Sequence, residues 1–271
     1  MQTPPVVSPR TKQVSCQVAG YAAIRAHPEQ MAALRRQPGP VCGEPLSSSL
    51  LKHADPQTIV GTGAIYHAIA NSNLTNTPFK EWGVIAAPCF LGRAAMTVAM
   101  QRFAAEGAWG ISPHIVPHNS VHSVSGTVSQ ALGIRGPNFG IGGGPGAAEE
   151  AFIIAATLLA CENLPGLWLV LTGYEPEYIP EEPGQPQTNA TAQTADCLAL
   201  ALALTPGTSG ERLTLRISPT SLNGCVRGVS TFRLGDLVDQ FARNDAPAGP
   251  WRLSGGGWFA FARSQSENAC A

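Results

Sequence analysis

The chain has 271 residues, 44% of them hydrophobic and 13% charged, with a formal net charge of −1. Such a length holds one large domain or two modest ones. The balanced charge removes an electrostatic basis for binding nucleic acid or an anionic membrane, and no apolar run reaches the ~18 residues of a membrane span.

The charge share lies well below the ~25% usual for soluble domains. With 29 glycines and 23 prolines, it points to much buried surface and a partner that covers some of it. The N-terminus, MQTPPVVSPRTK, has no apolar core before a cleavage site, so it does not read as a secretory signal. The seven cysteines, at 16, 42, 89, 161, 197, 225 and 270, form no close ligand pair. They read as buried thiols of a cytoplasmic protein, not as a disulfide framework or a zinc site.

In chain order, residues 1–13 read as a loose tail. Val14 to Ile24 predicts a strand and Pro28 to Arg36 a short helix. Residues 37–53, with Pro38, Pro40 and Pro45, read as an irregular connection. Asp55-Pro56 has the form of a helix start, cap followed by proline, for a helix over Gln57 to Asn71 that Gly61 and Gly63 weaken. Trp82 to Ala87 is an apolar strand, and Leu91 to Glu106 a helix. After a connection over Gly107 to Asn119, Ser120 to Leu132 reads as a helix ended by Gly133.

A short strand, Asn138 to Ile141, then runs into the glycine-rich turn Gly142 to Gly146 and the helix Ala147 to Cys161. That helix is apolar on nearly every side, so it is expected in the middle of a domain, with Cys161 packed. Leu167 to Thr172 is a further apolar strand, and residues 174–194, rich in proline and glutamate, read as an exposed excursion. Asp196 to Thr205 and Arg212 to Ser218 predict a hairpin. Leu234 to Arg243 reads as a helix with Leu237, Val238 and Phe241 inward, and Gly257 to Arg263 as a last strand with alternating faces. Strands buried on both faces and separated by helices indicate an α/β layered domain with a mostly parallel sheet.

The strand, sharp turn and helix around Gly142 to Gly146 form the place where chemistry would sit. Gly140-x-Gly142 superficially fits a dinucleotide fingerprint, with Glu162 downstream, but Pro145 occupies the position of the last required glycine. A nucleophile elbow needs a Ser or Cys on the turn, and Gly-Gly-Gly-Pro-Gly supplies neither; proline also lacks the N–H that an oxyanion would use. His114, His118 and His122 are spaced by four, but Pro117 interrupts them and no acid or thiol lies close in sequence, so they read as core or surface histidines and not as a metal site. Cys89, at the end of a strand, is either a packed thiol or a reactive one, and reactivity needs a base or positive neighbour that sequence does not display. Glu149 and Glu150 suit the positive end of their helix.

The run from Ser112 to Phe152 resembles the N-terminal half of a β-ketoacyl synthase, a member of the thiolase-like fold. The matching residues are Ser112-Pro113, Pro117 with Asn119, Gly126, Leu132-Gly133, Gly136-Pro137, the short strand, and the turn into the helix. WGVIAAP before it and LWLVLTGYE after it also resemble the family's strands, and CLALALALT with LTLRIS resembles the hairpin that closes that half. The resemblance covers roughly residues 14–220. It implies a thiolase-like half: a layered α/β domain with a mostly parallel five-stranded sheet and helices on both faces, truncated relative to full ketosynthases. Residues 221–271 would be a short C-terminal extension packed on the same domain.

Counted from Gly136-Pro137, the family's nucleophilic cysteine falls at Pro145. The two histidines and lysine that condensing members take from their C-terminal half have no counterpart, because nothing after residue 220 is histidine or lysine and the last histidine is His122. The resemblance therefore implies a noncatalytic subunit of the chain-length-factor type, without cofactor or metal. It would pair with an active β-ketoacyl synthase in fatty-acid, polyketide or aryl-polyene type biosynthesis, and acyl carrier protein is a further expected partner. Asn138, Phe139, Ile141 and the turn Gly142, Gly143, Gly144, Pro145 and Gly146 would lie at the subunit contact or the end of an acyl cavity. Two other readings stand beside this one: a divergent acyltransferase or hydrolase with alternative reactive residues such as Cys89 or His118, and a homodimeric scaffold that binds an acyl chain or carrier protein.

Overall fold

The computed structural model describes residues 14–40, 49–113, 115–177, 194–207, 213–218, 230–243, 250–253 and 257–263. The expected tail over 1–13, His114, Cys42, Cys225, Cys270 and most of the excursion over 174–194 lie outside the described residues.

The centre of the molecule is a pair of long apolar strands, β4 (Leu167–Glu175) and β5 (Asp196–Thr205), paired antiparallel. Their sequences explain the layering. In CLALALALT, Leu198, Leu200, Leu202 and Leu204 project to one face, and Ala199, Ala201 and Ala203 to the other. The leucine face joins Leu167, Leu169 and Leu171 beneath α6 (Ala147–Cys161) and α7 (Leu234–Ala242). The alanine face, with Trp168 and Val170, packs on α2 (Pro56–Asn71) and α5 (Ser123–Leu132). Small residues there let α2 approach the sheet closely, and Gly61 of α2 lies against Val124, Val170 and Thr172. The glycine that weakens helix propensity is thus used for packing. Each fully buried leucine of this core contributes about 1.5–3 kcal/mol.

The remaining elements are β1 (Val14–Ala26), α1 (Met31–Arg36), β2 (Gly83–Pro88), α3 (Arg93–Glu106), α4 (Ile115–Asn119), β3 (Asn138–Gly140), β6 (Leu213–Ser218), β7 (Ser230–Thr231), β8 (Trp251–Arg252) and β9 (Trp258–Arg263). The described strands form one sheet in the order β3-β2-β4-β5-β1-β6-β9-β8-β7. The expected α/β architecture with helices on both faces holds. The mostly parallel five-stranded sheet does not, because nine described strands join and only β3–β2, β2–β4 and β7–β8 are parallel.

The expected hairpin is also corrected. β5 and β6 do not pair with each other; β1 runs between them, antiparallel to both. The physical reason is that β5 is buried along both faces and needs a neighbour on each edge, and β1 with its 13 residues is long enough to serve β5 and then β6. Beyond β6, the pairing Leu213↔Arg263 to Ser218↔Trp258 brings the C-terminal segment into the same sheet.

Local signals that rest on caps and turns match closely. The Asp55 side chain accepts from the Gln57 amide and Pro56 opens α2. Gly133, at φ 64°, ends α5. Helix α6 keeps its expected bounds but not its full burial: Ala151, Phe152, Ala155 and Leu159 face the core, whereas Ile153 and Ile154 are 43% and 36% exposed. Cys161 is exposed, not packed: two residues past buried Leu159, it falls about 200° round the helix from the core-facing side. Among the described residues, no helix is long and apolar enough to cross a membrane.

Candidate functional site

Two strand–turn–helix corners lie side by side at the C-terminal ends of the parallel strands β2 and β3, which pair from Val84↔Asn138 to Ala86↔Gly140. One corner is the glycine-rich turn. The Ile141 amide donates to the Ala86 carbonyl at 2.8 Å, and Gly142 and Gly143, at φ 75° and 115°, then swing the chain into α6. The other corner follows β2. Cys89 follows the strand, Phe90 takes φ 50° and Gly92 φ 73°, and α3 begins at Arg93. The Phe90 amide donates to the Gly143 carbonyl at 2.8 Å, so the two corners are fastened to each other.

Between them opens a cavity of about 380 Å³ whose walls include Cys89, Gly144, Pro145, Thr172, Glu177 and Arg233. The structure thus brings the Pro145 turn together with Cys89. It does not bring His118 there: His118 lies on α4, its ring 5.8 Å from that of His53, at a separate groove of about 460 Å³ with Ala95, Val98 and Ile115. His122 is the cap residue of α5, so His118 and His122 belong to different helices. Among the described residues, no group of three or more His, Cys, Asp or Glu could hold a metal ion.

Around Cys89 the polar atoms are well tied. Its amide donates to the Thr172 carbonyl at 2.8 Å, and its carbonyl accepts from Gln57 Nε2 at 2.8 Å. Gln57 Oε1 in turn accepts from the Thr172 hydroxyl at 2.8 Å. The thiol donates to Glu177 Oε2 at 3.7 Å, and Arg93 Nη1 stands 3.7 Å from Glu177 Oε1. Arg93 also lies over the Phe90 ring, 3.3 Å from its centroid. Burial, reinforced by the Glu177 charge, pushes the Cys89 thiol up to about 12. Burial likewise raises the Glu177 carboxyl, against the field of Arg93. At rest the thiol is therefore protonated.

The other sequence-derived positions separate into two roles. Asn138 Nδ2 donates to Ser129 Oγ at 2.8 Å and fixes β3 on α5. Phe139 is 46% exposed on this edge strand, whereas Ile141 is buried in the core beside Ala147 and Ala148. Close backbone approach occurs at Gly140, where a Cβ would meet the backbone of Val121 and His122, and at Gly142, against Ala147. Gly144 and Gly146 face open space. Sequence reasoning had no means of finding Glu177 or Thr172, which reach the cavity only through the β2–β4 pairing Pro88↔Thr172.

No protein-family model matches the chain, and no curated protein matches it. Solved structures do. One is a chain of a ketosynthase in complex with its chain length factor from Xenorhabdus doucetiae, at TM-score 0.56 and 12% identity, covering 92% of this chain and 100% of that one. Another is a β-ketoacyl synthase from Burkholderia phymatum, at TM-score 0.51 and 11% identity, covering 86% of this chain and 70% of that one. A third is a type II polyketide acyl-carrier protein in complex with its ketosynthase, at TM-score 0.48 and 14% identity, covering 72% of this chain. The chain spans 63% of that last relative, less than two thirds of its length. The fold is ketosynthase-like, a mixed α/β sheet with helices on both faces.

Proposed function

We propose that this chain is a noncondensing ketosynthase-like subunit of the chain-length-factor type, which pairs with an active β-ketoacyl synthase in fatty-acid, polyketide or aryl-polyene type biosynthesis. The observation that carries the reading is Pro145. It sits at the corner where a nucleophile would be displayed between β3 and α6, and proline offers neither a nucleophilic atom nor an amide proton. Residues 123–271 contain no histidine.

The pairing half of the reading is supported by the sheet edge. Among the described strands β3 is the outermost on its side, with Phe139 exposed. An edge strand with an exposed aromatic side chain is a template for another chain. Exposed apolar side chains also occur on α6 (Ile153, Ile154) and on α3 (Met100, Phe103). Similarity to a chain of the Xenorhabdus ketosynthase and chain length factor complex supports a place in such an assembly. Acyl carrier protein would then meet the pair and not this chain alone.

Co-expression with candidate β-ketoacyl synthases from the same genome, followed by purification through one tag, tests the proposal. The two chains are expected to elute together. Failure to co-purify, with a ketosynthase that is active alone, removes the partner reading. A homodimeric acyl-binding scaffold is the second arrangement compatible with the exposed β3 edge, and sedimentation of the isolated chain separates it, since it requires a tight self-dimer.

A further inference from the structure

Helix α3 carries apolar residues on two sides, and its packing within the described chain accounts for one of them. Its main neighbours are α4 and a 3-10 turn over Gly107–Gly110. Ala95, Val98 and Ala99 line the groove against those neighbours, opposite Ile111 and Ile115. At ~100° per residue, Met96, Met100 and Phe103 fall within about 60° of one another, and Val98 falls on the far side of the helix. All three stripe residues are exposed, Met100 by 59%. Every residue from Gln101 to Trp109 is exposed, and Trp109 at the tip is 99% exposed. The spacing i, i+4, i+7 is that of a helix that lays one face into an apolar groove. A tryptophan beyond the stripe adds a large anchor. The charges of α3 are Arg93, Arg102 and Glu106, which do not make the basic face of a helix that lies on lipid.

The root of α3 ties this face to the sheet edge. The chain leaves β2 through Gly92 and comes back at Asn119, and a Cβ on Gly92 would meet the Asn119 side chain and carbonyl. Two residues on, the Val121 carbonyl lies against Gly140, the last residue of β3. The root of α3 thus stands at the C-terminal end of the β3 edge, and a chain that adds to that edge comes up against α3. We infer that α3 docks in an apolar groove of the β-ketoacyl synthase that pairs at β3, with Met96, Met100 and Phe103 as the buried stripe and Trp109 as the anchor. The inference rests on the subunit reading and adds to it the face that selects the partner. Strand addition satisfies backbone groups whatever the sequence, whereas side chains seated in a groove discriminate between chains.

The test uses the full-length chain co-expressed with candidate β-ketoacyl synthases from the same genome, and reads the dissociation constant of the purified complex. Trp109→Ala is expected to weaken the complex at least ~tenfold, and Met100→Lys combined with Phe103→Lys at least ~100-fold. Gln101→Lys, exposed but off the stripe, is expected to leave it unchanged. All four side chains are exposed, and near-UV circular dichroism reports that each variant is folded. In the unmodified chain, amide exchange over residues 93–110 is expected to slow when the complex forms. Equal affinity of all the variants, while Phe139→Asp still separates the subunits, overturns this inference and leaves the subunit reading standing. Absence of any complex overturns both. Self-association of the isolated chain, or binding to phosphatidylcholine vesicles, that the stripe variants abolish makes the occupant a second copy or a lipid surface and overturns the inference as well.

Discussion

Phe152 of α6 stacks on Phe259 of β9, with ring centroids 4.3 Å apart and planes 24° from parallel. Both side chains are fully buried. The contact fastens the helix that follows the Pro145 turn to the last described strand, and Trp251 also stacks on Phe259, at 5.1 Å. The C-terminal segment therefore supports the wall of the cavity from behind. Replacing Phe152 by Ala is expected to cost about 3–5 kcal/mol. Chemical denaturation of Phe152→Ala, Phe259→Ala and the double variant checks this, with an expected coupling of about 1 kcal/mol.

The approach of β3 to the start of α5 gives a second expectation. A Cβ on Gly140 would meet the Val121 carbonyl and the His122 amide, which are backbone atoms and cannot rotate away. Gly140→Ala is expected to destabilise by on the order of 3 kcal/mol. An unchanged denaturation midpoint would mean that β3 and Val121 are not in contact.

Asp55 gives a pH dependence with a definite sign. Burial pushes its carboxyl from 3.8 up to about 6, against hydrogen bonds from the Gln57 and Gly92 amides and the field of Arg35. A carboxyl that is raised in the folded state binds its proton more tightly there, so its contribution is fully present below pH 3.8 and is lost as pH rises through about 6. The ionised form costs about 3 kcal/mol at neutral pH. Asp55→Asn keeps an oxygen for the helix cap and is expected to raise stability at pH 7 while leaving it nearly unchanged at pH 4. Equal effects at the two pH values would contradict the burial argument.

Pro145→Cys is expected to yield no condensation product from malonyl and acyl thioesters. A thiol at the turn would still lack the histidines that assist decarboxylation, because the chain has none beyond His122 and His118 lies at a different groove. Measurable turnover by this single variant would contradict the subunit reading.

These expectations also show which parts of the molecule could be read in advance. Helices with chemical punctuation were legible: Asp55-Pro56 opens α2, Gly133 ends α5, and α6 has the bounds its sequence indicates. The alternation in Trp258 to Arg263 set Phe259 and Phe261 on one face, and the structure buries that face. Strand partners were not legible. The LALALAL run says that β5 is buried on both faces, but it does not say that β1 will take the edge expected for β6. Helix α6 looked apolar all round, and only its neighbours decide that Ile153 and Ile154 stay outside. Most of the site shares this limit. Pro145 was identified from its own turn, whereas Cys89, Thr172 and Glu177 converge on it only because β2 lies between β3 and β4.

The most direct test of the subunit reading is the sheet edge. Phe139 is 46% exposed and its side chain is not part of the core, so Phe139→Asp is expected to leave the fold of the chain intact. The measurement is native mass spectrometry of the chain co-expressed with candidate β-ketoacyl synthases from the same genome, with Phe139 and with Asp in its place. The account predicts a one-to-one complex for the unmodified chain and separate subunits for the variant. A chain that never binds the ketosynthase, or a complex equally abundant with Phe139→Asp, would contradict it.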